Sequence, residues 1–138
     1  MTGTDIFGRL MDAVNDKDID GAANCYSEDV HYAEPGINCN LHGRDQVHRL
    51  YTSWLTNADL KARLDDAFTA GDRGAFVFTM TATVVKEIAG LWPADSVGRT
   101  FSVPVAVIAR LDSDGLMSEA VYHWDTMTML SQLGQIPG

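Results

Sequence analysis

DIDGAANCYSEDVHYAEPGINCNLHGRDQVHRLY, residues 18–51, is the stretch whose reading decides the fold. A short helix follows Asp18, with Ile19, Ala22, Ala23 and Tyr26 on one face. Asp29–Ala33 reads as a strand, ended by Pro35-Gly36. The loop over 35–42 is rich in turn residues. A long helix starts near Gly43, and Val47, Leu50, Tyr51, Trp54 and Leu55 recur along it at helical spacing. This order leaves one carboxylate, Glu34, at the end of an apolar strand beside a bend. Tyr26 and Tyr51 sit on the helices either side of it.

Upstream, Phe7, Leu10, Met11 and Val14 mark a helix over 4–16, with Thr4 as its expected N-cap. Downstream the period changes to two. Leu60–Thr69 is a strand, and 70–74 is a turn. Ala75–Lys86 is a long strand with Phe76, Phe78, Met80, Ala82 and Val84 on one face and Val77, Thr79, Thr81, Thr83 and Val85 on the other. The loop 87–98 carries Leu91, Trp92 and Pro93, apolar bulk suited to a plug, to a cavity rim or to plain packing. Thr100–Leu111 is apolar on both faces, as a central strand is, and Pro104 implies a bulge or a local break in pairing. Asp112-Ser113-Asp114-Gly115 is a hairpin turn, Leu116–Trp124 is the last strand, and Thr126–Pro137 is partly helical. The order ααβαββββ gives one α+β domain over 1–138: a curved antiparallel sheet, with three helices over its concave face, forming a cone.

The chain has 138 residues, 46% hydrophobic and 21% charged, with a net charge of −9 and no clustered Lys or Arg. That balance argues against nucleic acid and against a membrane surface as partners. No apolar run approaches the roughly 20 residues of a membrane span, and the N-terminus lacks the pattern of a signal peptide. The expected compartment is the cytoplasm, where Cys25 and Cys39 stay reduced. The four histidines, His31, His42, His48 and His123, show no ligand spacing, and glycines occur singly at turns. No metal and no cofactor is therefore expected. The expected partner is a small apolar molecule.

Two carboxylates stand out. Glu34, facing an apolar cavity, would be pushed towards neutral pKa by desolvation and become a general acid/base; it reads equally as a surface glutamate beside a turn. Asp125, after Tyr122-His123-Trp124, reads as a second acid/base group or as a helix cap. Strict alternation puts Tyr122 and Trp124 on one face and Asp125 on the other. The expected substrate-contacting wall takes Tyr26, Tyr51 and Trp54 from the helices. From the strands it takes Phe76, Phe78, Met80, Val105, Val107, Tyr122 and Trp124.

DIDGAANCYSEDVHYAEPG followed by HGRDQVHRLY resembles the nuclear transport factor 2-like (cystatin-like) superfamily, and within it the steroid Δ5-isomerases. GRTFSVPVAVIARLDSDG and YHWDTMTMLSQLG are similar to the SnoaL-like polyketide cyclase branch. The resemblance implies the cone fold. It places Glu34 at the isomerases' base, Tyr26 and Tyr51 in their tyrosine network, and Trp124 on the pocket wall. It also puts Leu10 and Val107 where the isomerases keep their two oxyanion donors. The epoxide hydrolases of this fold use an Arg and two Asp, and the strand AFVFTMTATVV offers no Arg-x-Asp. The cyclases use a carboxylate on an already acidic C–H, for which Asp125 is the candidate here. The function this implies is cofactor-free proton transfer, a cyclisation or an isomerisation, on an apolar carbonyl compound. Whatever completes the chemistry is expected from the far end of the chain, around Tyr122 to Asp125. The alternative is a non-catalytic ligand-binding or assembly module in which the sheet's other face makes a dimer; the expected assembly is a homodimer.

Overall fold

A computed structural model describes residues 5–136; the Thr4 cap lies outside the described residues. Helix α1 (Asp5–Asn15) turns Ile6, Phe7, Leu10, Met11 and Val14 inward, as its apolar period requires. The Asn15 side chain fastens its end to strand β3, donating to the Ala62 carbonyl and accepting from the Ala62 N–H, each at 2.8 Å. Helix α2 (Ile19–Ala23) is capped by Asp18, which accepts from Gly21 N at 2.9 Å.

Tyr26 is not on that helix. It opens strand β1 (Tyr26–Glu34), where it pairs with Met117, and the Cys25 carbonyl accepts from Met117 N at 3.0 Å. Pairing with the last strand overrides the helical spacing of Tyr26 with Ala22 and Ala23. The loop expected at 35–42 is also partly regular. Asn38 takes the left-handed conformation at φ 53° and turns the chain back. Strand β2 (Cys39–His42) then pairs with β1, His31 opposite His42 and Glu34 opposite Cys39.

Helix α3 (Arg44–Asn57) leads into β3 (Ala58–Ala70), β4 (Arg73–Val84), β5 (Thr100–Leu111) and β6 (Met117–Trp124), and helix α4 (Thr126–Gln132) closes the chain. The six strands form one curved, unclosed sheet in the order β2-β1-β6-β5-β4-β3. Every pairing is antiparallel except β1–β6, which is parallel. Two chain segments far apart in sequence thus meet side by side. This is the α+β cone the sequence predicts, with the single parallel pair as an addition to it.

The alternation of β4 holds, with Phe76, Phe78, Met80, Ala82 and Val84 buried. In β5 the odd positions are buried, and the even ones, apolar in part, face outward. Pro104 lies opposite Thr79 and one residue past the end of the β5–β6 pairing at Val105, so no β6 carbonyl loses a donor to it. In the loop after β4, Trp92 is fully buried and meets Trp54 at 5.1 Å and Phe101 at 6.1 Å between ring centroids. The loop's apolar bulk is therefore plain core packing, and Trp92 does not line the cavity between helices and sheet. Arg44 ties α3 to β1, its Nε and Nη2 donating to the Tyr26 carbonyl at 3.0 and 2.8 Å. Among the described residues no helix is long and apolar enough to cross a membrane.

Candidate active site

Glu34 ends β1 because Pro35 follows it, and the strand's alternation turns it to the concave face together with Tyr32. The residue is 5% exposed. Tyr32 Oη donates to Oε2 at 2.9 Å, and Trp124 Nε1 donates to Oε1 at 3.0 Å. Burial pushes the carboxyl from 4.5 up to about 7, and the two hydrogen bonds, which favour the charged form, pull against it without winning.

The carboxylate opens on a cavity between the helices and the sheet. Helix α1 lines it with Met11 and Val14, and α3 with Leu50, Tyr51, Trp54 and Leu55. The sheet adds Tyr32, Leu60, Ala62, Phe78, Met80, Val105, Tyr122 and Trp124. The free space is about 50 Å³ at a water-sized radius, several times the roughly 10–15 Å³ a single water needs. No Lys, Arg, Asp or His lines it. Besides Glu34 its polar groups come from Tyr32, Tyr51 and Tyr122 and from the indoles of Trp54 and Trp124.

Two of those phenols, Tyr51 and Tyr122, form one cluster with Tyr26. Tyr26 Oη lies 2.7 Å from Tyr51 Oη and also shares a hydrogen bond with Tyr122 Oη, while Tyr51 and Tyr122 stand 3.5 Å apart. Burial raises all three phenols above their ordinary range, so they remain neutral O–H groups. Cys25 is likewise pushed up to about 11 by burial and holds its thiol proton; it is a packed side chain, not a nucleophile.

Of the residues expected at the site, Glu34, Tyr51, Trp54, Phe78, Met80, Val105, Tyr122 and Trp124 meet at the cavity. Tyr26, Phe76 and Val107 stand behind its wall. Tyr26 is linked to it only by its hydrogen bonds to Tyr51 and Tyr122; Phe76 stacks on Phe7 at 4.4 Å; Val107 is buried between its strand partners Phe76 and Tyr122. Asp125 is outside altogether. It caps α4, accepting from Met127 N at 3.0 Å, Thr128 N at 3.2 Å and Thr128 Oγ1 at 2.8 Å. Those bonds hold its carboxyl below the usual carboxylate range, with the Thr128 hydroxyl first. The strand does not relax at its end, and Asp125 stays on the far side from Trp124. Tyr32 was missed, although its separation of two from Glu34 on a strand puts both on one face. Met11 and Val14 read only as core of α1. Among the described residues no three His, Cys, Asp or Glu side chains are placed to share a metal ion.

A family model described as a SnoaL-like domain matches residues 7–120, from α1 into β6. The chain belongs to the SnoaL-like family. No curated protein matches it. Solved structures resemble it over nearly their whole length. AclR from Streptomyces galilaeus, a proposed hydroxylase, is 23% identical with a TM-score of 0.80, covering 99% of this chain and 87% of its own. IdmH from Streptomyces antibioticus, a proposed polyketide cyclase, is 23% identical with a TM-score of 0.79, over 97% and 99%. A protein of ketosteroid isomerase-like fold from Catenulispora acidiphila, solved with trimethylamine, is 16% identical with a TM-score of 0.78, over 95% and 93%. These likenesses establish the fold, which this SnoaL-like chain shares with proteins of differing proposed chemistry.

Proposed function

We propose that this SnoaL-like protein is a cofactor-independent enzyme that transfers a proton on a small, apolar carbonyl compound, in a cyclisation or an isomerisation, with Glu34 as the acid/base group. The observation that carries this reading is the carboxylate of a 5% exposed residue, poised near neutral pH, opening into an otherwise apolar cavity. As carboxylate, Glu34 takes a proton from the carbon next to the carbonyl. The C–H electron pair becomes the C=C of an enol or enolate, and the carbonyl π pair moves to oxygen. Return of the proton at another carbon gives the isomer. Attack of the enolate carbon on a second carbonyl gives the ring, and Glu34 then protonates the new alkoxide. The absence of cationic side chains from the lining favours a neutral substrate.

The test is solvent deuterium exchange at the α-carbon of a panel of small ketones and 1,3-diketones, followed by NMR. The wild type is expected to accelerate exchange on at least one of them, and Glu34→Gln to lose that acceleration by on the order of 10²-fold or more. Equal rates in the two proteins, or no acceleration across the panel, would remove the reading.

The narrowness of the cavity favours a second reading, a non-catalytic binding or assembly module. Phe68, Ala75, Ile108 and Val121 share one register row on the outer sheet face, with Phe68 63% and Ile108 48% exposed. A dimer formed on that row would sediment as such at micromolar concentration, and Ile108→Lys would return it to monomer.

A further inference from the structure

We propose that Tyr122 and Tyr51 together form the donor site for the substrate's carbonyl oxygen, with Tyr26 behind them as the residue that orients both. This rests on the proton-transfer reading of Glu34 and fills the gap it leaves, since Leu10 and Val107 carry no donor. Both positions are fully buried and apolar. Tyr122 is the direct strand partner of Val107, so a hydroxyl enters from β6 beside the position where β5 offers none.

Counting protons makes the argument. Each phenol has one O–H to give. The cluster contains two short contacts, Tyr26 to Tyr51 and Tyr26 to Tyr122, and one long one at 3.5 Å. Two short bonds use two of the three protons. At 3.5 Å the Tyr51–Tyr122 contact is well beyond the O–H···O optimum of about 2.8 Å and does not hold the third. When Tyr26 donates to Tyr122, Tyr51 donates to Tyr26 and the proton of Tyr122 is spare. In the opposite polarity the proton of Tyr51 is spare. Tyr51 and Tyr122 both line the cavity and Tyr26 does not. In both of these polarities the surplus donor belongs to a residue that lines the cavity; in the third arrangement, with Tyr51 and Tyr122 both donating to Tyr26, the surplus proton is that of Tyr26.

An acceptor oxygen seated between the two hydroxyls takes both of their protons, and the proton of Tyr26 turns to one of them and polarises it. The raised phenol pKa values keep all three protons in place while Glu34 titrates. The lining thus holds one base and one pair of neutral donors. A substrate whose carbonyl oxygen meets the phenols can set its α-carbon towards Glu34. A substrate with a carboxylate or phosphate in the cavity leaves that charge without a cation.

Acetone carrying ¹³C at the carbonyl is a suitable probe: it is the smallest ketone, as a cavity of about 50 Å³ requires, neutral and enolisable only at its methyl groups. Its C=O stretch, read by infrared difference spectroscopy, moves to lower wavenumber with each hydrogen bond it accepts. In the wild type the band of the bound ketone is expected below its position in cyclohexane. Tyr122→Phe and Tyr51→Phe should each remove about half of that displacement, weaken binding about fivefold and slow α-deuterium exchange by on the order of 10²-fold. Tyr26→Phe should leave a displaced but broader band, because both donors remain and lose their common anchor. Glu34→Gln should keep the displaced band while losing exchange. Two isosteric variants guard against one of them failing to fold.

An undisplaced band in the wild type, whether from a dry contact or from no binding, overturns the assignment. So does an unchanged displacement in both Tyr→Phe variants. If Glu34→Gln retains exchange while the Tyr→Phe variants lose the displacement, the acid/base role of Glu34 falls and the donor site stands.

Discussion

Replacing Glu34 by glutamine should change how stability depends on pH, and the size of the change follows from its burial. The carboxyl is displaced from 4.5 to about 7 in the folded chain. At about 1.4 kcal/mol per pH unit, that is about 3 kcal/mol against the ionised form. The folded state binds this proton more tightly than the unfolded state does. The stability it contributes is complete below pH 4.5 or so and is lost as pH rises through about 7. Between pH 5 and pH 8 the wild type should lose about 2.5 kcal/mol from this group alone.

Glutamine cannot ionise. Its amide oxygen satisfies one of the two donors, Tyr32 or Trp124, and its NH2 faces the other. That is a fixed cost of about 1–3 kcal/mol with no pH dependence. Urea unfolding of both proteins at pH 5, 6, 7 and 8 measures the difference, in which every other titrating group cancels. The stability of Glu34→Gln relative to wild type should rise by about 2–3 kcal/mol from pH 5 to pH 8. A difference flat to within about 0.5 kcal/mol would show that Glu34 is not desolvated, and the proposed chemistry would lose its base.

Other perturbations follow from particular contacts. Tyr32→Phe and Trp124→Phe each delete a hydrogen bond that favours the charged form of Glu34. In the same unfolding series the pH-dependent loss should therefore extend to more alkaline pH than in the wild type. Gly74→Ala places a Cβ 2.8 Å from Phe7 Cζ and forces that ring off its stack on Phe76. The expected cost is about 1–3 kcal/mol in thermal or urea unfolding. Asp125→Ala should lower the melting temperature at neutral pH while leaving α-deuterium exchange intact. Because the folded state depresses this carboxyl, the deficit should shrink as pH falls through the usual carboxylate range.

The alternation of β4 made the pocket wall legible, since a period of two names the buried face without reference to its partners. The same rule separated Tyr122 and Trp124 from Asp125 and, applied to β1, pairs Tyr32 with Glu34. Period does not say how deep a residue sits. Phe76 and Phe78 share a face, yet Phe7 covers one and leaves the other to the cavity. Tyr26 misread as helical because its spacing fits α2, and only the pairing with Met117 fixes its conformation. Strand β2 is four residues of mixed burial between turn residues, a pattern that local propensity leaves as loop until a neighbouring strand supplies hydrogen bonds. The donor cluster was half legible. The resemblance names Tyr26 and Tyr51, whereas their links to Tyr122 span 96 and 71 residues and depend on which strands lie adjacent.

The parallel pairing of β1 with β6 has a kinetic side. Strands β3 to β6 join through turns and a loop of modest length, and can form while the N-terminal third is still loose. The bond from Trp124 to Glu34 closes a separation of 90 residues, and such closures come late because their entropy is lost before any contact is gained. Until then Glu34 is an ordinary solvated acid. Its unusual affinity for a proton is expected to arise in the last stage of assembly, when β1 docks on β6. Raising the pH then penalises the finished state far more than the transition state before it, so alkalinity shortens the lifetime of the closed cone and scarcely slows its formation. The group proposed to do the chemistry would also set how long the fold persists.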